Sequence, residues 1–154
     1  PILFPIIGRL LDDKYRLKGT EYTMPKHGIV RKKPFTLKES TADSLTFVQT
    51  DDDESLTIYP YHFEIKVKFT LTETGLEVDH TVTNNSTETM YYSFGAHPAF
   101  NCEIGDYLEF NNDTSLTTER IDHDSILIEE KFPVEMDGNA ILLIPLSIAS
   151  FIEL

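Results

Sequence analysis

The strongest constraint on the fold is a strict two-residue alternation of apolar and polar side chains over residues 62–71. The apolar positions of this stretch are Phe63, Ile65, Val67, Phe69 and Leu71. Such an alternation predicts a half-buried antiparallel β-strand. A turn over residues 72–75 and a second alternating stretch over residues 76–84 complete a predicted β-hairpin. A turn over residues 84–87 and a third alternating stretch over residues 90–94 extend the hairpin into a predicted meander.

Shorter apolar stretches elsewhere predict further strands, over residues 45–49, 56–59, 108–110, 126–128 and 141–144. The acidic run 51–54 is interpreted as a solvated hairpin tip, because it lacks the glycine and the later glutamate of a calcium loop. Apolar residues do not recur with a sustained 3.6-residue period, so little helix is expected. Many short, evenly spaced strands predict an all-β fold, an antiparallel β-sandwich or a barrel.

The length of 154 residues predicts a single domain over residues 1–154. The chain begins at Pro1 without a methionine and ends inside a predicted strand at Leu154. We therefore expect it to be part of a longer protein, with an incomplete sandwich. No apolar run approaches the roughly 18–20 residues that span a membrane, and no signal peptide is recognised.

The charge balance limits the partners. A net charge of −13 repels phosphate backbones and anionic lipid, so neither nucleic acid nor a membrane is expected as a partner. A single cysteine, Cys102, excludes an internal disulfide and favours a cytoplasmic location. Glycosylation patterns at residues 84–86, 85–87 and 112–114 are interpreted as turn chemistry, because no secretion signal accompanies them.

Three short segments combine a functional side chain with glycine or proline. Arg9 follows Gly8, and its planar guanidinium suits a diol or a pair of anionic oxygens. His27 lies between Pro25 and Gly28, with Arg31 four residues later. The bland alternatives are an Arg9 that pairs with Asp12 or Asp13 on the surface, and a hairpin histidine beside solvated cations.

The third segment, residues 91–101, is the most informative. It carries His97 within a Gly-Ala-His-Pro turn and has Asn101 shortly after it. Imidazole is the side chain best suited to exchange a proton near neutral pH, and a strand end can present it to a cleft. The bland alternative is a turn histidine that caps local backbone groups.

Other kinds of site are not supported. The sequence contains no nucleophile elbow, phosphate loop, dinucleotide fingerprint or zinc motif, so we expect neither a cofactor nor a metal. Cys102 is interpreted as a small packed side chain. His62 and His123 lack a comparable context, and His80 falls on the apolar parity of its strand, which predicts a core position.

Taken in order, the three segments resemble those of the aldose 1-epimerase (galactose mutarotase) family, and most closely its bacterial LacX-like branch. The matching stretches are Pro-Ile-Leu-Phe-Pro-Ile-Ile-Gly-Arg-Leu at residues 1–10, residues 22–31 around His27, and Ser-Phe-Gly-Ala-His-Pro-Ala-Phe-Asn at residues 93–101. The resemblance covers about residues 1–101 and is weak beyond them. It implies a β-supersandwich with a sugar cleft across one face.

The resemblance also implies the chemistry and the roles of the residues. The family interconverts the α and β anomers of a free sugar. By motif position, His97 would be the general acid, His27 a second active-site histidine near the ring oxygen, and Arg9 a ligand of sugar hydroxyls; Arg31 and Asn101 are further candidates for substrate binding. The family's general base is a glutamate from a later part of a longer chain, and Glu153 does not match its motif.

Three alternatives stand beside a free-sugar epimerase. Arg9, Lys26, Arg31 and Lys32 could form a phosphate pocket, as in a hexose-6-phosphate 1-epimerase. The absence of an identified base favours a non-catalytic carbohydrate-binding protein of the same fold. An unrelated structural β-sandwich is the blandest alternative. The expected partner is a hexose or a hexose phosphate, and a homodimer is left open.

Overall fold

A computed structural model describes residues 1–110, 116–124 and 126–142, and the backbone of residues 151–152. The fold is mostly β with antiparallel sheets, which confirms the predicted fold class. The chain divides into two compact units, Pro1–His97 and Pro98–Leu154, called here the first and second units. The prediction of one domain stays a prediction.

The first unit contains a four-stranded antiparallel sheet in the order β4-β5-β6-β7. Eight strands and one α-helix make up this unit: β1 (Ile2–Leu3), β2 (Lys14–Leu17), β3 (Thr20–Thr23), β4 (Thr36–Ser40), β5 (Ser44–Thr50), α1 (Asp53–Ile58), β6 (Phe63–Leu71), β7 (Leu76–Asn84) and β8 (Gly95–Ala96). Single 3₁₀ turns occur at Leu11–Asp13 and Val30–Lys32. The predicted hairpin is confirmed, because β6 and β7 pair over their whole length.

The core of the first unit packs N-terminal residues against one face of β6. Phe63 and Ile65 are buried on that face, while Glu64 on the opposite face is partly exposed. The Phe4 ring is fully buried, with its centroid 5.0 Å from that of Phe63 and 5.7 Å from that of Tyr59. Aromatic rings at these separations add attraction to the burial of their apolar area. The N-terminal segment is therefore fixed to the sheet by its own side chains.

The acidic run forms the start of α1 rather than a hairpin tip, so the strand predicted over residues 56–59 is wrong. The Asp52 carboxylate accepts from the Ser55 backbone N–H at 2.8 Å, and the Ser55 hydroxyl accepts from the Asp52 N–H at 2.8 Å. This reciprocal capping satisfies two backbone donors that a helix start otherwise leaves unpaired. A six-residue helix is too short to show a 3.6-residue apolar period, which is why the sequence pattern missed it.

The strand predicted over residues 90–94 is also wrong, because only Gly95 and Ala96 join a sheet there. The backbone before Gly95 makes isolated hydrogen bonds instead of a strand ladder. The Ser93 N–H donates to the Pro5 carbonyl at 2.8 Å, and the Tyr91 carbonyl accepts from the Tyr59 hydroxyl at 2.8 Å. Isolated bonds to a loop and to a side chain replace the ladder that a meander would need.

Two smaller predictions about packing are wrong. His80 is exposed rather than part of the core, although its register partner Val67 is buried, because β7 is an edge strand of the sheet. The His80 ring centroid lies 5.3 Å from that of Phe94. Cys102 is exposed rather than packed. The His80 prediction relied on strand parity and the Cys102 prediction on residue type, and neither says whether another element covers that position.

The second unit contains short antiparallel pairings. Its strands are β9 (Tyr107–Glu109), β10 (Thr117–Ile121), β11 (Leu127–Pro133), β12 (Ala140–Leu142) and β13 (Phe151–Ile152). β10 pairs with both β11 and β13, and β9 pairs with β12. Three strands predicted in this region overlap β9, β11 and β12, while residues 143–144 and the turn at 112–114 lie outside the described residues. Within the described part of the chain, no helix is long and apolar enough to cross a membrane.

Candidate active site

The N-terminal segment, residues 1–10, positions the loop that carries His97. Strand β1 of this segment pairs with β8, so that Leu3 lies opposite Gly95. His97 directly follows β8, and its backbone N–H donates to the Pro1 carbonyl at 2.9 Å. The exposed imidazole of His97 therefore lies on a loop whose backbone is hydrogen-bonded to residues 1–10, both within β8 and directly after it.

The same segment holds the loop that carries His27. His27 and Gly28 both have left-handed backbone, with φ of 65° and 74°. The His27 N–H donates to the Gly8 carbonyl at 2.8 Å, and the Gly8 N–H donates to His27 Nδ1 at 3.1 Å. One residue further, the Ile29 N–H donates to the Phe4 carbonyl at 2.9 Å. Residues 1–10 thus bind both predicted histidine loops through their backbone.

The surroundings of His27 favour its neutral form. Burial lowers the pKa of His27 below its ordinary value, and coulombic interactions with Arg31, Lys26 and His97 lower it further. Burial acts because it penalises the charged imidazolium, and like charges act by repulsion.

This lowered pKa predicts a pH dependence of stability. The ordinary pKa of histidine is 6.5, so between 6.5 and the lower folded-state value the unfolded chain binds more protons than the folded chain. The stabilisation is complete above pH 6.5 and is lost as the pH falls through the folded-state pKa of His27. Urea unfolding between pH 5 and 8 should show a smaller loss on acidification in His27→Gln than in the native chain. Parallel curves for the two proteins would contradict the prediction.

Arg9 lies beside this arrangement in an ion pair. Its Nε and Nη2 atoms each donate to one carboxylate oxygen of Asp13 at 2.8 Å. The Arg9 guanidinium in turn holds the pKa of the Asp13 carboxyl below its ordinary value. The surface pairing named as the bland alternative is therefore present. Binding of sugar hydroxyls by Arg9 stays a prediction, in which a ligand shares or replaces the contact with Asp13.

Three cations near His27 have no acidic partner within 4.0 Å among the described residues: Lys26, Arg31 and Lys32. Arg31 and Lys32 belong to the 3₁₀ turn that follows the His27 loop. Several other cations of the first unit, such as Lys14 and Lys33, are paired with carboxylates. On a chain of net charge −13, three such cations at one loop give a local positive charge that suits an anionic ligand.

Asn101 is not brought into this arrangement by the contacts of the first unit. It belongs to the second unit, where it is exposed and lies outside any strand. Its role in binding substrate stays a prediction. Glu153 lies outside the described residues.

The contribution of Gly8 could not be predicted from the residue types. Its amide donates a hydrogen bond to the His27 ring, and the partner of a backbone amide cannot be inferred from residue types. The only local signal is the glycine itself, whose φ of 81° is a conformation that other residues rarely adopt. Which partner that amide meets is decided by the fold.

A sequence profile described as aldose 1-epimerase matches residues 1–135. The chromosomal and plasmid forms of protein LacX from Lactococcus lactis subsp. lactis are each 44% identical over 110 residues, which is 68% of this chain and 37% of each relative. The chain therefore spans little more than a third of the length of these relatives.

Two solved structures are similar to this chain over most of its length. A galactose mutarotase-like protein from Lactobacillus casei superimposes with a TM-score of 0.82 at 32% identity, covering 93% of this chain and 52% of that protein. A galactose mutarotase related enzyme from Lactobacillus acidophilus gives a TM-score of 0.72 at 28% identity, covering 93% of this chain and 50% of that enzyme.

Proposed function

Because this chain belongs to the aldose 1-epimerase family and to its LacX-like branch, we propose that it acts in the interconversion of the α and β anomers of a hexose. The observation that carries the proposal is the shared anchoring of two histidine loops. Backbone hydrogen bonds tie the His27 loop and the His97 loop to the same ten N-terminal residues. Two imidazoles held in this way can act on one small substrate.

The proposed chemistry is a reversible ring opening. One proton is delivered to the ring oxygen and one is removed from the anomeric hydroxyl, so that the C1–O5 bond breaks and C1 becomes a carbonyl. Rotation about C1–C2 and the reverse transfers close the ring as the other anomer. His97 is the proposed acid, and positioned acid–base groups typically contribute about 10²- to 10⁴-fold. The proposed general base is a carboxylate, and it is not identified among the described residues.

The cations near His27 favour a second candidate, a hexose-6-phosphate 1-epimerase. Arg31 is exposed and has no acidic partner among the described residues, and its guanidinium suits two phosphate oxygens. Lys26 and Lys32 would add charge without fixed geometry. Because Arg9 is already engaged by Asp13, we assign the phosphate to the group around Arg31.

Anomer exchange measured by two-dimensional NMR distinguishes these candidates. With glucose, galactose and glucose 6-phosphate offered in turn, exchange faster than the spontaneous rate is expected for at least one sugar. If the phosphate candidate holds, Arg31→Ala should weaken the binding of glucose 6-phosphate by about tenfold, as for loss of a charge-assisted hydrogen bond. Glucose binding should be unchanged.

Arg16→Ala is the matched control, because Arg16 is an exposed arginine on the β2–β3 hairpin. Equal handling of glucose and glucose 6-phosphate by the native chain would contradict the phosphate candidate. Sugar resonances perturbed by binding without faster exchange would favour a non-catalytic carbohydrate-binding protein of the same fold.

A further inference from the structure

The hydrogen bond between the Gly8 amide and the His27 ring constrains the protonation of the ring as well as its position. A backbone N–H can only donate, so the Gly8 amide at 3.1 Å requires a lone pair on His27 Nδ1. A neutral imidazole carries one proton, and that proton must then be on Nε2. Protonation of Nδ1 would place two donors against each other and forfeit the hydrogen bond.

We propose that Gly8 is a positioning residue that holds His27 as the neutral Nε2–H tautomer, so that the ring offers a hydrogen-bond donor to an acceptor oxygen of the sugar. The tautomer follows from the geometry of the first unit, whereas its role toward the sugar rests on the proposed function. The acceptor is an oxygen lone pair of the substrate, such as the ring oxygen or a hydroxyl oxygen.

The Gly8 contact is part of a closed pair of bonds. The His27 N–H donates to the Gly8 carbonyl at 2.8 Å, so the two residues exchange hydrogen bonds in both directions. The Gly28 N–H also donates to the Pro25 carbonyl at 2.9 Å, which closes the turn around His27. Rotation of the ring to exchange its nitrogens would break one bond of this pair while the backbone stays in place.

The charges that surround the ring act in the same direction. Lys26 and Arg31 on the same loop and His97 on the neighbouring loop all oppose an imidazolium at this position. Hydrogen bonding and electrostatics therefore both select the neutral ring.

This assignment gives His27 and His97 different roles. A neutral imidazole is a poor source of a proton but a good hydrogen-bond donor, so His27 orients and polarises an oxygen without transferring its proton. Proton transfer is then left to His97, whose ring accepts no hydrogen bond from a backbone amide among the described residues, unlike that of His27. The second histidine of the site is thus a donor of fixed orientation.

Long-range ¹H–¹⁵N correlation of the imidazoles tests the tautomer directly, without any sugar and without activity. Between pH 6.5 and 8, His27 Nδ1 should resonate as an unprotonated nitrogen and Nε2 as a protonated one. His80, which is exposed and whose ring makes no hydrogen bond among the described residues, provides an internal reference for a ring whose tautomer is not fixed by a partner. A protonated Nδ1, or an average over both tautomers at His27, would overturn the proposal.

A pair of substitutions tests the role toward the sugar. The amide nitrogen of His27→Gln falls near the position of Nε2, whereas that of His27→Asn falls near Nδ1. Sugar affinity should fall by about tenfold more in the asparagine variant, the size of one hydrogen bond. Equal losses in the two variants would overturn the donor role. If the native chain binds no sugar at all, the proposed function fails, while the NMR measurement still decides the tautomer.

Discussion

His97→Ala is expected to lower the enhancement of anomer exchange by about 10²- to 10⁴-fold, the range that positioned proton transfer typically supplies. The substitution removes the proposed acid but leaves its backbone bonded as before. Because the His97 N–H donates to Pro1 and β8 pairs with β1 through main-chain groups, the loop should keep its course. NMR exchange of the preferred sugar measures the effect, and far-UV circular dichroism verifies the fold.

His62→Ala is the matched control, since it removes an exposed imidazole of the same unit whose ring contacts Asp51 rather than a residue of the His27 or His97 loop. It should leave anomer exchange within about twofold of the native rate. An alanine at position 97 that leaves exchange intact would remove His97 from the mechanism and contradict the assignment of the acid.

Gly28→Ala is expected to destabilise the first unit by about 3–5 kcal/mol, the largest class of single-substitution effects. An added Cβ would lie 2.0 Å from the Phe4 carbonyl oxygen, 2.4 Å from the Phe4 carbonyl carbon and 2.8 Å from the Pro5 nitrogen. All three are backbone atoms, so no side chain can rotate away. The φ of 74° adds strain for any residue with a side chain.

The effect should be large because the obstructing backbone cannot retreat. The Phe4 side chain is fully buried, and its carbonyl accepts from the Ile29 N–H. Moving this carbonyl would disturb the aromatic core and the neighbouring His27 loop together. Urea unfolding followed by circular dichroism is the appropriate measurement, since the chain contains no tryptophan. A variant that yields no folded protein agrees with the expectation.

Gly75→Ala is the matched control at the tip of the β6–β7 hairpin. A Cβ at Gly75 would meet no atom within 4 Å, and its φ lies outside the left-handed region. Its free energy of unfolding should therefore stay within about 1 kcal/mol of the native value. Equal stability of the two alanine variants would mean that the close approach of Gly28 to Phe4 does not restrain the loop.

The sequence was most informative where one local pattern repeats. The alternation through Phe63, Ile65 and Val67 predicted β6, and the turn after it predicted the hairpin with β7, because each depends on neighbours in the chain. The same reasoning failed over residues 56–59 and 90–94. In those stretches, apolar side chains serve a short capped helix and an irregular segment bonded to a distant loop.

The candidate site was predictable in part. Residue type and flanking glycine or proline singled out His27 and His97, and tertiary structure brings both loops to residues 1–10. The partner of Arg9 was named among the alternatives as Asp12 or Asp13, and the structure selects Asp13. Nothing in the local sequence predicted that the amide of Gly8 would meet a histidine nineteen positions away.

The sequence by itself determined the antiparallel β character of the chain, the family to which its three segments belong, and the residue types available for proton transfer. These properties follow from local periodicity and short motifs, which can be recognised without knowing any contact between distant residues. Only the tertiary structure decided which backbone groups hold the histidines, which cations stay unpaired, and which nitrogen of His27 carries the proton. Such properties depend on contacts between residues far apart in the chain, and hydrogen bonds of the main chain leave no trace in the order of side chains.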